Sequence, residues 1–135
     1  MSYPDPAVYD TLPKLLRHNA QAHPDEVALR LKEFGIWHET TWGEYLAKVR
    51  RIALGLKEMG VGAGDVVAMV GDNDVDWISF EIAAHAAGAM TLGVYRDALE
   101  EEVGYLVGYA AAKVVFAQDQ EQVDKLVSLG DQVGS

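Results

Sequence analysis

The side chains able to do chemistry are few and scattered through this sequence. Gly60-Val61-Gly62-Ala63-Gly64-Asp65 has the glycine density of a nucleotide-binding loop. A dinucleotide fingerprint, however, follows a strand and opens a helix. These glycines follow a helical stretch and precede a strand-like one, so they read as a turn. No Gly-x-x-x-x-Gly-Lys-Ser/Thr phosphate loop occurs. Asp72, Asn73, Asp74 and Asp76 suggest a calcium loop, but an EF-hand needs Gly at its sixth place and Glu at its twelfth. Counted from Asp72 those places hold Trp77 and Ala83. Capping of the following helix accounts for these carboxylates. His18, His23, His38 and His85 include no pair three or four apart, so no helical metal site is expected. His85 reads as a hydrogen-bonded core residue. The serines lack a Gly-x-Ser-x-Gly setting, and Glu100-Glu101-Glu102 suits the solvated first turn of a helix. No catalytic residue and no metal ligand can be assigned.

The elements that would carry these residues are clearer. Residues 1–10 read as an irregular arm. Thr11 is placed to cap a helix to about Ala22, with Leu12, Leu15, Leu16 and Ala20 on one side and Pro24 as its stop. Val27–Lys32 and Ile36–Thr40 alternate around Gly35, predicting a β-hairpin. Thr41-Trp42-Gly43-Glu44 is a capping box. Behind it Trp42, Tyr45, Leu46, Val49, Ile52, Ala53, Leu56 and Met59 mark an amphipathic helix that Gly60 ends.

Strands and helices then alternate. Val66–Val70 is an unbroken apolar run, as in a strand covered on both faces. A largely buried helix from about Val75 to Ala87, a strand Met90–Val94 and a helix opening at Asp97-Ala98-Leu99-Glu100 follow. That helix should turn Leu99, Val103, Leu106, Val107 and Ala110 inward, with Asp97 as its N-cap. Lys113–Ala117 is the third strand, and Asp119–Leu129 the last helix, with Val123, Leu126 and Val127 inward. Short connections of this kind imply right-handed βαβ units. The expected fold class is α/β: a β-hairpin plus a three-stranded parallel sheet with flanking helices. A three-stranded parallel sheet leaves edges to cover, so the chain reads as cut, with a further strand expected next.

Composition narrows the function classes. Hydrophobic residues make up 50% and charged residues 24% of the 135, an ordinary globular profile. Eleven basic against 21 acidic side chains give a net charge of −10, which disfavours nucleic acid and anionic membrane surfaces as partners. The acidity is steepest after Arg96, where only Lys113 and Lys125 oppose eight carboxylates. Without cysteine there is no disulfide framework, thiolate site or thiol nucleophile. No run suggests a membrane span and the first residues lack the form of a signal peptide. A cytoplasmic protein without a transmembrane segment is expected.

Six segments, in order, resemble the start of the AMP-forming acyl-CoA synthetases of the adenylate-forming superfamily. They are Leu12-Pro13-Lys14-Leu15-Leu16 with Ala22-His23-Pro24-Asp25-Glu26-Val27-Ala28; Thr40-Thr41-Trp42-Gly43-Glu44-Tyr45; Leu56 to Val61 with Gly64-Asp65-Val66-Val67-Ala68; Asn73 with Trp77; Ala87-Gly88-Ala89 with Tyr95; and Ala112-Lys113-Val114-Val115-Phe116. The spacing around Trp77 and Tyr95 is most similar to the long-chain fatty-acid–CoA ligase branch. The resemblance implies that residues 1–135 are a partial N-terminal (AMP-binding) domain of such a ligase, the incomplete start of an acyl-CoA synthetase N-terminal domain. It implies ATP, Mg²⁺ and CoA as cofactors of the full-length enzyme, with fatty acid as substrate and the remainder of the ligase chain as partner. Carboxylate and ATP would give an acyl-adenylate, and CoA would then take the acyl group. The family's motifs for ATP phosphates, ribose and the catalytic lysine are not among these residues, so the fragment is expected to be inactive and to bind none of these cofactors stably. By the same resemblance, Tyr95 and Arg96 lie on a CoA-facing loop, the ring packing on the cofactor and the guanidinium pairing with a phosphate. Relatives usually carry small residues or Pro-Thr where this chain has Arg96 and Asp97. Adenylation for a carrier protein and a stand-alone α/β binding module remain as alternatives. A homodimer and a peripheral membrane association of the full-length enzyme also stay open.

Overall fold

A computed structural model describes residues 3–130. Helix α1 (Leu12–Ala22) leads to the hairpin β1 (Val27–Glu33) and β2 (Ile36–Thr41), then to α2 (Trp42–Glu58). After it come β3 (Val66–Gly71), α3 (Val75–Ala86), β4 (Met90–Tyr95), α4 (Glu100–Tyr109), β5 (Val114–Ala117) and α5 (Gln120–Leu129).

Local chemistry explains most of the ends. The Thr41 hydroxyl accepts from Glu44 N at 3.2 Å, and the Glu44 carboxylate accepts from Thr41 N at 2.9 Å. At the other end of α2, Gly60 takes a positive φ of 80°. Gly60 N donates to Lys57 O and Val61 N to Leu56 O, both at 2.9 Å, the paired bonds of a Schellman stop. Asp74 caps α3 through Trp77 N at 2.8 Å, and Asp119 caps α5 through Gln122 N at 3.1 Å.

Two expected caps are not made. Thr11 precedes α1 in an extended conformation, but its side chain makes no capping bond. Pro13 at the second helical position has no N–H to donate. Asp97 does not cap α4. The helix starts later, with Leu99 in the cap position and the Glu102 carboxylate accepting from Leu99 N at 2.9 Å.

The hairpin is antiparallel, with a register irregularity between Val27 and Leu29. The extra residue breaks strict alternation: Val27 is exposed, and both Ala28 and Leu29 pack on the core. The second sheet is parallel with order β4-β3-β5. On one face Val67 meets Leu16, Tyr45, Val49, Leu56, Ile82, Ala83 and Ala84 from α1, α2 and α3. On the other, Ala68 and Val70 meet Val94, Val103, Val107 and Leu129, bringing in α4 and α5. β3 is thus paired on both edges and covered on both faces, which is why its sequence is a continuous apolar run.

The last helix turns a different face inward from the one its valines suggest. Gln122 and Leu129 are buried and Leu126 packs on the core, whereas Val123 is 37% and Val127 72% exposed. Residues 122, 126 and 129 form as good a helical stripe as 123 and 127, but a glutamine at its head hides it. Gly104 decides between them, because a Cβ there would sit 2.8 Å from Leu129 Cδ2. The bare backbone of α4 lets Leu129 lie against it. Leu12, Met59 and Leu99, at the ends of their expected stripes, are all exposed.

Candidate functional site

The parallel register brings together residues that are far apart in the chain. Gly71 pairs with Tyr95, and Val70 with Ala117. Continued just past the strand ends, the same register sets Asp72, Arg96 and Asp119 on one row. The Arg96 guanidinium reaches Asp72 at 2.7 Å and Asp119 at 3.8 Å. The hydrogen bond and charge of Asp72 hold the guanidinium above its ordinary pKa, and the charges of Asp119 and Glu121 add to this. These pairs are open to solvent and screened by it; their main effect is to orient Arg96.

Gln118 ties the row to the helix behind it. Its carbonyl accepts from Asp72 N, and its Nε2 donates to Asp74 Oδ2 at 2.7 Å. A Cβ on Gly71 would lie 2.6 Å from Gln118 Cβ, so the glycine makes room for this side chain. All three aspartates that suggested a calcium loop are engaged by the protein: Asp72 with Arg96, Asp74 with Trp77 N and Gln118, and Asp76 with Lys48.

The helix after β3 packs on one face of the sheet and the helix after β4 on the other. A crevice opens where two such connections part, at the carboxyl ends of adjacent strands, and this is the usual ligand position in open α/β sheets. A cleft of about 690 Å³ lies there, walled by Trp77, Ile78, Gly93 and Tyr95 and edged by Asp72, Arg96 and Asp97. Trp77 packs over Gly93, where a Cβ would stand 3.1 Å from its ring. Tyr95 is 88% exposed. It is also a wall of a second cleft of about 530 Å³, which continues to Tyr105 and Leu106 under a rim of Glu101 and Glu102. Tyr95 therefore stands as a ridge between two clefts, on the outer strand β4 of the sheet formed by the described residues.

Tyr95 and Arg96, both expected at a ligand-facing loop, are found at this crevice. Arg96 is not a free cation: a ligand phosphate would share or displace Asp72. Asp72, expected only as a carboxylate at the start of α3, and Asp119, expected only as the first residue of the last helix, are its partners, while Gln118 and Lys125 carried no sequence signal. A usable signal was the residue following each parallel strand. His85 lies away from the row, half-buried, with Nε2 3.1 Å from Thr91 Oγ1.

Two of the resemblance-bearing segments prove to be one clamp. Lys113 Nζ donates to Gly60 O at 2.6 Å and Asp65 Oδ2 at 2.9 Å, and Gly62 N donates to the same carboxylate oxygen at 2.8 Å. The Lys113 hydrogen bond, helped by Gly62 N–H, holds the Asp65 carboxyl below the usual carboxylate range. The glycine-rich segment is a structural turn.

The fit to the implied cofactors is uneven. Among the described residues no three His, Asp or Glu side chains converge on one point. Nor does a glycine-rich loop meet a helix N-terminus to cradle ATP phosphates. An aromatic ridge beside an oriented guanidinium does fit part of CoA, with Tyr95 to pack on it and Arg96 to meet a phosphate.

A family profile described as AMP-binding enzyme matches residues 16–134. An uncharacterized protein of Mycobacterium tuberculosis is 33% identical over 120 residues, covering 89% of this chain and 67% of its own length. The long-chain-fatty-acid–CoA ligase FadD15 of Mycobacterium bovis is 27% identical over 125 residues, 93% of this chain but 21% of the ligase. The crystal structure of a candidate long-chain-fatty-acid CoA ligase from Rhodopseudomonas palustris superposes with a TM-score of 0.73 at 32% identity, over 89% of this chain and 30% of that one. The chain thus spans about a fifth to a third of these ligases and two thirds of the mycobacterial relative.

Proposed function

The chain belongs to the AMP-binding enzyme family and has the α/β fold of an acyl-CoA synthetase N-terminal domain, and on that premise we propose that it serves as the scaffold-forming N-terminal part of a fatty-acyl-CoA ligase. In this reading residues 1–135 are a partial AMP-binding domain, and the enzyme they belong to works in the cytoplasm. The full enzyme would join a fatty acid to CoA through an acyl-adenylate, using ATP and Mg²⁺ held by residues outside this segment. The long-chain acyl preference is supported by the names of FadD15 and the Rhodopseudomonas protein.

One observation carries the role of this segment: the crevice at the ends of β3 and β4, with Tyr95 projecting from it and Arg96 oriented beside it. CoA, when bound, supplies the thiol that accepts the acyl group. The Tyr95 ring offers an apolar face to the cofactor, and the Arg96 guanidinium offers two-pronged pairing to a phosphate. Asp72 and Asp119 keep the guanidinium at the crevice mouth until a phosphate takes their place.

A chimera tests the reading. Residues 16–130 replace the matching segment of the Rhodopseudomonas ligase. ATP–pyrophosphate exchange with fatty acids reports the first half-reaction, and thioester formation reports the second. Tyr95→Ala and Arg96→Gln are expected to raise KM for CoA severalfold while leaving exchange unchanged. Equal loss of both half-reactions, or no change in KM, would refute a CoA-facing loop. Offering CoA and a phosphopantetheine carrier side by side separates a CoA ligase from a carrier-loading enzyme. The isolated chain is expected to show no exchange, and exchange above background would overturn the scaffold role.

A further inference from the structure

Lys125 lies on α5, and its side chain is largely shielded, 20% exposed. Its ammonium donates to Arg96 O at 3.0 Å, Ala98 O at 3.3 Å and Gln122 Oε1 at 3.3 Å. Three donors meet three acceptors, which fully uses an ammonium group. The Glu121 carboxylate at 3.5 Å balances its charge. Two of the acceptors are backbone carbonyls of the turn between β4 and α4, and shielded carbonyls in an irregular turn must find donors. The same helix makes one more contact to this turn and one to the start of α4. Asp119, its cap, faces the Arg96 guanidinium, and Ser128 Oγ donates to Glu100 Oε1 at 2.5 Å.

From this geometry we infer that Lys125 is a positioning residue. It fixes the backbone of Arg96–Ala98 and so sets the direction in which Tyr95 and Arg96 face the crevice. The functional meaning rests on the CoA-facing reading of that loop; the clamp itself does not. A lysine suits the task because one flexible stem brings three donors to carbonyls two residues apart. An apolar side chain of equal length would leave both carbonyls unpaired.

The test uses the whole chain and amide hydrogen exchange. Lys125→Met is expected to speed exchange at residues 97–99 about tenfold through local opening, with residues 67–70 of β3 unchanged. Lys125→Arg, which keeps charge and donors, is expected to stay within about threefold of wild type. The Arg96 guanidinium N–H signals are a second readout and should accelerate with the loop. Unchanged exchange at 97–99 in Lys125→Met, or equal acceleration in β3, overturns the inference. Should Lys125→Met fail to fold, Lys125→Gln, a shorter and uncharged donor, is read by the same criteria. The KM for CoA of the chimera distinguishes the two proposals. A KM raised by Lys125→Met as well as by Tyr95→Ala and Arg96→Gln supports both. A KM that Tyr95→Ala and Arg96→Gln leave unmoved refutes the CoA-facing loop, while the exchange data still decide the clamp.

Discussion

Replacing Asp74 with alanine removes two interactions of one carboxylate. Oδ1 caps α3 through Trp77 N at 2.8 Å, and Oδ2 accepts from Gln118 Nε2 at 2.7 Å. Loss of an aspartate cap costs about 1 kcal/mol. The Gln118 bond has a charged acceptor but is partly open to water, and contributes about 1 kcal/mol. Asp74→Ala should therefore destabilise the chain by about 2 kcal/mol, a fall in Tm of about 8 °C for a domain of this size. Asp74→Asn separates the contributions. Its amide oxygen can still cap α3, but its NH₂ then meets the Gln118 NH₂, whose carbonyl is already committed to Asp72 N. About half the loss should return. Urea unfolding followed by far-UV circular dichroism measures both variants, with an unchanged slope confirming that the midpoint shift is a stability change. If Asp74→Ala lies within about 0.5 kcal/mol of wild type, or Asp74→Asn costs as much as alanine, the attribution to cap and Gln118 is wrong.

Other perturbations address other parts of the fold. The Asp65 carboxyl is held low by Lys113 and Gly62. Its contribution is present above the ordinary carboxylate pKa and is lost as pH falls through the depressed folded value; Lys113→Met should flatten that acid limb in urea midpoints taken across pH. Tyr45 has its hydroxyl pKa raised by burial and by Glu81, so stability should be full below about pH 10 and fall as pH rises beyond it, a loss that Tyr45→Phe removes. Leu56→Ala should cost about 2–5 kcal/mol at its buried core position when measured by the same unfolding. On α5, Val127→Lys should change stability by less than about 0.5 kcal/mol while Leu129→Ala costs about 2 kcal/mol or more; the reverse order would restore the valine face as the buried one.

Elements with a local cause are legible in the sequence. The Thr41/Glu44 box, the Gly60 stop, the Asp74 cap and the apolar run of β3 each depend on neighbours in sequence, so their spacing is enough. Legibility failed where a distant group decided. Thr11 is the exception: it makes no capping bond, and Pro13, which removes one of the donors, is a neighbour in sequence. Leu129 displaced Val127 from the core because Gly104, on another helix, left space for it. The resemblance to acyl-CoA synthetases reached the family through residues such as Gly64-Asp65 and Lys113, yet gave no hint that Asp65 and Lys113 are partners.

The sequence by itself determined the elements, their order, the α/β class and the family, because periodicity, caps and turn residues act over a few neighbouring positions. Tertiary structure alone decided the strand order β4-β3-β5 and the register that lines up Asp72, Arg96 and Asp119. It also decided that Lys125 reaches the turn those residues share. Parallel strands are joined through helices, so nothing in the local chain sets which residues come level across the sheet; packing on its two faces does.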